Sequence, residues 1–99
     1  MPAASETITL RFEMGYTPAD FTRRLPGLAD VEYNAERDQF DHIEPARRWS
    51  VRLLNPRERR IALARLPVVD VELAFEGYAQ AEVDAFMARF RAHFHRGGG

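Results

Sequence analysis

Residues 47–76 decide the fold of this chain, and they read RRWSVRLL (47–54), NPRER (55–59), RIALARL (60–66), Pro67 and VVDVELAFE (68–76). Apolar and polar residues alternate along this stretch, as they do in strands that bury one face. The alternating apolar residues are Trp49, Val51, Leu53, Ile61, Leu63, Val69, Val71, Leu73 and Phe75. An apolar face on one side only is typical of an antiparallel sheet that packs against helices on that side.

Two turn signals divide this stretch into three predicted strands. Asn55 and Pro56 suit the first two positions of a type I turn over residues 55–58, because Asn favours the first position and proline presets φ at the second. Pro67 falls where the next hairpin would turn, so its missing N–H would cost the ladder no hydrogen bond.

Before this stretch, the sequence predicts a strand, a short helix and a second strand. Residues 5–14 alternate with Ile8, Leu10, Phe12 and Met14 on the core side. Thr17 can cap a helix that begins at Pro18, and Pro26-Gly27 ends it. Residues 30–36 alternate again, whereas residues 37–46 fit either a hairpin loop or a short edge strand closed by Pro45.

After the central stretch, residues 79–95 predict the strongest helix of the chain. One face carries apolar residues at the spacing of successive helical turns. This stripe consists of Val83, Phe86, Met87, Phe90 and Phe94. The three glycines at 97–99 are expected to end the helix and to form a flexible tail after a single domain of residues 1–96.

The predicted fold is therefore α+β, with the order β-α-β-β-β-β-α. It has a single antiparallel sheet of four to five strands with both helices on one face. This order is similar to the half-repeat of the TATA-binding-protein type of sheet. The similarity is a topological analogy, and it implies nothing about function.

Composition limits the classes of protein to consider. The chain has 99 residues, 29% of them charged, and no cysteine, which excludes disulfides and thiolate metal sites. No apolar run approaches the ~18 residues of a transmembrane helix, and residues 1–6 lack the features of a signal peptide. We therefore expect a cytoplasmic protein that does not contact membranes.

Charge is segregated along the chain although the net charge is only −1. Residues 45–66 carry seven arginines against Glu58 alone, whereas residues 67–88 carry five acids and no arginine. All fourteen basic residues are arginine. Arginine recognises carboxylates and phosphates through two parallel hydrogen bonds, but an arginine-rich composition is also what a GC-rich genome encodes.

The sheet face that the helices leave open carries the candidate site, which consists of Arg48, Arg52, Arg60 and Glu72. The predicted turn would set Arg52 opposite Arg60, an unfavourable pair unless an anion or an acid compensates it. The next strand would bring Glu72 diagonal to Arg60. These residues form either a site for an anion or a protein partner, or a ladder of ion pairs that only keeps the face soluble.

Other chemistry receives less support from the sequence. His93 and His95 would point about 200° apart on a helix, and residues 41–44 (Asp-His-Ile-Glu) lack a third anchor for a metal or an acid–base pair. Nucleic acid is not expected as a partner, because no predicted outward residue is aromatic. No cofactor is expected.

Two functions remain open. The first is a non-enzymatic binding or protein–protein interaction domain, with a homodimer through the open sheet face as one form. The second is a small-molecule or anion-binding protein that uses arginines on that face. A curved sheet against a long helix can also enclose a pocket, and Tyr16, Tyr33, Tyr78 or His42 could stand at its mouth.

Overall fold

The computed structural model describes residues 7–95 and contains one five-stranded antiparallel sheet with two helices on one face. The strands are β1 (Thr7–Met14), β2 (Glu32–Asn34), β3 (Gln39–Ile43), β4 (Arg48–Ile61) and β5 (Ala64–Glu76). The helices are α1 (Pro18–Arg24), which a 3₁₀ turn at Leu25–Gly27 extends, and α2 (Gln80–Phe94). The sheet order is β1-β5-β4-β3-β2. The predicted α+β class and element order are confirmed.

Two other statements about the whole chain stay predictions. The analogy with the TATA-binding-protein half-repeat is one, and the single-domain organisation of residues 1–96 is the other. The predicted glycine tail at 97–99 and the first two residues of the predicted first strand, 5 and 6, lie outside the described residues.

The centre of the sheet is the long antiparallel pair of β4 and β5. Trp49 pairs with Phe75, and Val51 pairs with Leu73. All four side chains are buried, at 2% exposure or less. Directly paired residues share a face of the sheet, so the apolar residues of both strands lie on one side, as the alternation predicted.

Helix α2 covers this apolar side. The buried residues of α2 are the five of the predicted stripe: Val83, Phe86, Met87, Phe90 and Phe94. The Phe86 ring centroid lies 4.8 Å from that of Trp49 and 5.1 Å from that of Phe75. Truncating a buried phenylalanine to alanine costs about 3–5 kcal/mol in such a core, so the three buried phenylalanines of α2 contribute strongly to the stability of the fold.

Helix α1 forms by the predicted capping chemistry. The Thr17 hydroxyl accepts a hydrogen bond from the Asp20 backbone N–H at 3.1 Å, and Pro18 takes the first helical position. Phe21 is fully buried and stacks on Phe94 with ring centroids 4.5 Å apart. The first helix is therefore locked to the last turn of α2.

The predicted turn over residues 55–58 is wrong. β4 continues through them to Ile61, with a register shift between Leu54 and Arg57. Asn55 and Pro56 together lie opposite one residue of β5, which is a β-bulge. Asn55 has φ 51°. Asparagine tolerates this conformation and proline needs no ladder partner, so the same two residues suit a bulge as well as a turn.

The predicted turn at Pro67 is also wrong. Pro67 lies inside β5 opposite Glu58, and the hairpin turns instead at Ala62 and Leu63. Ala62 has φ 54°. A positive φ at the first of two loop residues is typical of a type II′ hairpin turn, where glycine is the usual residue. Without glycine the sequence gives little sign of this turn. The three strands predicted within residues 47–76 are therefore two long strands, β4 and β5.

The poorly patterned residues 37–46 contain a strand. β3 pairs with β4 on one side and with β2 on the other, so it is an inner strand and not the edge. β2 forms the edge and is shorter than the predicted strand over 30–36.

Gly77 ends β5 in a conformation that requires glycine. Its φ is +79°, and an added Cβ would lie 2.6 Å from the Ala46 carbonyl oxygen. Gly15 is a matched control because its φ is not positive and an added Cβ would meet only the Pro67 carbonyl oxygen at 3.8 Å.

We expect Gly77→Ala to lower the free energy of unfolding by about 2 kcal/mol or more, since the left-handed conformation alone costs a non-glycine residue ~1–2 kcal/mol. Gly15→Ala should change it by less than about 0.5 kcal/mol. Urea denaturation of both variants measures the difference. Equal stabilities would contradict the close approach of Gly77 to Ala46.

Candidate functional site

Three of the four predicted site residues lie on the open face, which is the sheet surface away from the helices. Arg48 pairs with Glu76, and Arg52 pairs with Glu72. The Arg52 Nη1 to Glu72 Oε1 distance is 3.7 Å. Arg52 and Glu72 are therefore together, whereas Arg48 lies on the same face four residues along β4 and contacts Glu76 and Asp41 instead.

Arg60 is not part of this group. It lies near the end of the β4–β5 hairpin, opposite Arg65. The expected pairing of Arg52 with Arg60 is wrong, because β4 does not turn at Asn55 and Arg52 faces Glu72 of β5 instead.

Asp41 joins β2, β3 and β4 on the open face. Its side chain accepts hydrogen bonds from Gln39 Nε2 at 2.7 Å and from Asn34 Nδ2 at 3.3 Å, and it lies 3.5 Å from Arg48 Nη2. Asp41 is only 5% exposed although it lies on this face. A buried carboxylate needs such partners to offset its lost hydration, so this network fixes the short strands to the centre.

At the other end of the open face, arginines again meet acids. Arg57 Nη2 lies 2.7 Å from a carboxylate oxygen of Glu13 and 3.2 Å from one of Asp70. The side-chain amide of Asn55 is the main cause that lowers the pKa of Asp70, and Arg11 and Arg57 add to it. An anion that binds this face must therefore compete with acids already in contact with the arginines. Anion binding there stays a prediction.

Beyond these ion pairs, the two long strands continue as an arm, which we define as residues 57–66. β1 pairs with β5 only up to Val69, and β3 pairs with β4 only from Arg48 to Val51. The arm therefore has no neighbouring strand within residues 7–95. A two-stranded ribbon is marginally stable alone in water.

The arm exposes large apolar side chains near its tip. Ile61 is 55% exposed, Leu66 is 45% exposed, and Leu63 in the turn is fully exposed. Arg60 and Arg65 face each other and make no ion pair among the described residues. Facing like charges are destabilising, so the tip combines exposed apolar surface with uncompensated positive charge.

The opposite end of the open face has a groove of about 330 Å³, which we name the end groove. Ile43 lies in it with 62% of its surface exposed, next to Arg48 of the open face. The groove is lined by Ile43, Glu44, Pro45, Ala46, Arg47, Arg48, Glu76 and Gly77.

A second opening, which we name the helix cleft, lies between α2 and the β3–β4 side of the sheet and has a volume of about 430 Å³. Of the four residues predicted at the mouth of such a pocket, His42 and Tyr78 line it, whereas Tyr16 is buried in the core and Tyr33 lies on the edge strand β2. The cleft is lined by Ala29, His42, Glu44, Arg47, Trp49, Tyr78, Glu82, Ala85, Phe86 and Arg89.

His42 has a hydrogen-bond acceptor at each of its two ring nitrogens. Its Nδ1 lies 2.6 Å from the Asp30 carbonyl oxygen, and its Nε2 lies 3.0 Å from Glu44 Oε2. A carbonyl and a carboxylate only accept hydrogen bonds, so the ring donates to both of them only when it is protonated. The Asp30 carbonyl is the main cause that raises the pKa of His42, burial opposes it, and Glu44 raises it further.

Arg47 ties the sheet side of the cleft to α2. Its Nε donates to Glu44 at 2.9 Å, and its Nη1 donates to Glu82 at 2.8 Å. Its guanidinium also lies 4.5 Å from the centre of the Tyr78 ring. Arg47 is the main cause that lowers the pKa of Glu44, whereas burial raises the pKa of Tyr78.

The sequence indicates His42 and Glu44 as part of one short run, but it does not indicate the group of charged side chains around Arg47 to which they belong. Strand alternation separates the predicted run of residues 41–44, since Asp41 lies on the open face and His42 on the helix side. Arg47, Glu82 and Tyr78 come from distant positions, so no local spacing indicates them. Within residues 7–95, no group of three or more acidic or histidine side chains is placed to hold a metal ion.

The other two histidines do not converge on a site. His93 Nε2 lies 2.6 Å from the Arg24 carbonyl oxygen, which links α2 to the end of α1. His95 is the exposed residue that ends α2.

The ion group around His42 predicts how stability depends on pH. The stabilisation from charged His42 is complete below its ordinary pKa of about 6.5 and is lost as pH rises through its raised pKa. The stabilisation from ionised Glu44 is present above the ordinary pKa of Glu44 and is lost as pH falls through its lowered pKa. Stability from this group should therefore be greatest between about pH 5 and pH 6.5.

We expect Glu44→Gln to lower the pKa of His42 and to move the loss of stability on the alkaline side to lower pH. Glu36→Gln, an exposed carboxylate in the β2–β3 turn, should change neither. The measurements are an NMR titration of the His42 ring and urea denaturation from pH 5 to 9. A His42 titration that is identical in both variants would contradict the contact with Glu44.

None of the helices within residues 7–95 is long and apolar enough to cross a membrane. Comparisons of the chain with models of known protein families, with curated proteins and with solved structures find no match. The function of the chain is therefore inferred from its own residues and their geometry.

Proposed function

We propose that the protein is a non-enzymatic protein–protein interaction domain that forms a homodimer through its open sheet face. The observation that carries this proposal is the exposure of large apolar side chains at both ends of that face. Leu63, Ile61 and Leu66 lie on the arm, and Ile43 lies at the end groove. Exposed apolar side chains that lie close together, as those of Ile61 and Leu66 do, typically mark an interaction site.

The register supports the arm as part of the open face. Arg57 and Arg59 contact Glu13 of that face, at 2.7 and 2.9 Å. Because side chains two apart on a strand share a face, Ile61 lies on the same side as Arg59. Leu66 pairs directly with Arg59 and shares that side. Two exposed apolar side chains of the arm therefore extend the open face.

The charges of the open face can also pair between two copies. A two-fold axis lets basic and acidic groups of one surface pair reciprocally, and complementary charge fixes the orientation of partners. Arg60 and Arg65 take no part in this, because they lie on the side of the arm opposite to Ile61 and Leu66. The charged residues of the open face include Arg48, Arg52, Arg57 and Arg59, and Glu13, Asp70, Glu72 and Glu76.

In such a dimer, a two-fold axis would lie in the plane of the interface and perpendicular to the strands. This axis would bring both ends of each open face, the arm and the end groove, into the interface. The open faces of two copies would pack with their strands antiparallel, as in a sheet-on-sheet arrangement. The arm of each copy would then lie over the end groove of the other. Such an interface is self-complementary and closes, so it yields a dimer and not a fibre.

The alternative from the sequence, an anion site at Arg48, Arg52 and Arg60, is less well supported. Arg60 lies apart from the other two, and Arg48 and Arg52 already contact acids. In the dimer the charges of this face would be covered as ion pairs, which costs less free energy than covering isolated charges.

We expect the protein at low salt to have twice the chain mass of 11.4 kDa. The dimer should weaken as salt rises, since charged groups are screened over ~10 Å at 0.1 M. Sedimentation equilibrium at 50 mM and 500 mM NaCl measures both effects. A monomer at all concentrations and salts would overturn the proposal.

Ile61→Thr separates the interface from the folding of the arm. Threonine is β-branched and suits a strand as isoleucine does, yet it removes apolar surface from the open-face side of the arm. We expect weaker dimers, with hydrogen-exchange protection of residues 57–66 unchanged at concentrations where the protein is monomeric. Arg60→Thr, on the opposite side of the same strand, is the matched control and should dimerise normally. Equal dimerisation of the two variants would exclude the open-face side of the arm from the interface.

A further inference from the structure

We propose that the helix cleft binds a small organic monocarboxylate with an apolar body. This inference does not rest on the dimer, because the decisive residue, Arg89, lies on α2 and lines neither the arm nor the end groove.

The charge of the ligand follows from the charges within the cleft. Both acids of the lining, Glu44 and Glu82, are in contact with Arg47, and Glu44 also contacts His42. Arg89 is the remaining charged residue of the lining, and it makes no ion pair within residues 7–95. Arg89 is therefore the cation of the lining that no acid of the described residues contacts, and it fits a ligand with a single negative charge.

The apolar part of the ligand follows from the wall beside Arg89. Ala29, Ala85 and Phe86 line the cleft there. Ala85 and Phe86 lie about one helical turn before Arg89 on α2. Binding sites for small molecules are mostly apolar with a few polar groups that set orientation, and their volumes run from about 300 to 1,000 Å³. The helix cleft, at about 430 Å³, falls in the range for a small ligand.

The orientation follows from the position of the Arg89 side chain. Its guanidinium lies over the Phe86 ring, 5.5 Å from the ring centre. This cation–π contact occupies none of the N–H groups in an ion pair, so the N–H edge of the guanidinium can donate two parallel hydrogen bonds to a carboxylate. The carboxylate would thus meet Arg89 at the rim, with the body of the ligand directed over Ala29 and Ala85, because Phe86 is only 2% exposed.

The test is an NMR titration of the protein with sodium benzoate, phenylacetate and hexanoate, at ionic strength matched with NaCl. We expect at least one of them to shift the Ala85, Arg89 and Trp49 indole resonances with a Kd in about the millimolar range, as is usual for ligands of this size. Benzamide, a neutral molecule of the same shape as benzoate, should bind about tenfold more weakly or worse.

Arg89→Gln should weaken binding about tenfold or more, since it removes a charged hydrogen-bond donor. Arg91→Gln is the matched control, because Arg91 is exposed on the same helix and does not line the cleft. If no carboxylate shifts the cleft resonances, or if benzamide binds as tightly as benzoate, the proposal is overturned. Equal affinities of the two variants would also overturn it.

Discussion

Phe86 stands where α2 meets the two central strands, with its ring against both Trp49 and Phe75. This contact requires the apolar residues of β4 and β5 to lie on one side of the sheet and α2 to lie across them. With that side filled, the polar residues of both strands must face away from the helices. The open face, with its arginines and acids, is therefore a consequence of the same packing that builds the core.

The parts of the fold that depend on side-chain period could be predicted from the sequence. The apolar stripe of α2, the N-terminal cap of α1 and the burial of Trp49 and Phe75 on one side of the sheet are each indicated by a strong local pattern. The strand boundaries in the middle of the chain do not, because Asn55 and Pro56 satisfy a bulge and a turn equally well. Ala62 shows the converse case, since the actual hairpin turn is made without the glycine that would have indicated it.

The site was harder to predict than the fold, for a related reason. Arg48, Arg52 and Glu72 could be assigned to the open face because alternation alone decides which face they occupy. Arg60 was misplaced because its position depends on register, and one bulge changes the register of everything after it. The group around Arg47 joins a loop, a strand and a helix that are far apart in sequence, so only the folded chain brings these charges together.

The bulge between Leu54 and Arg57 shifts the alternation of β4 by one residue. Before it, the even-numbered residues of β4, such as Arg52, face away from the helices, and after it the odd-numbered ones, such as Arg59, do so. Losing one of the two bulge residues would restore regular pairing and leave the sides of the arm unchanged, because Arg57 would still pair with Val68. Such a deletion would remove only the local bend that a bulge gives a strand, so it would re-aim the arm in a descendant of this chain while the residues of its core and of its contact surface stayed the same.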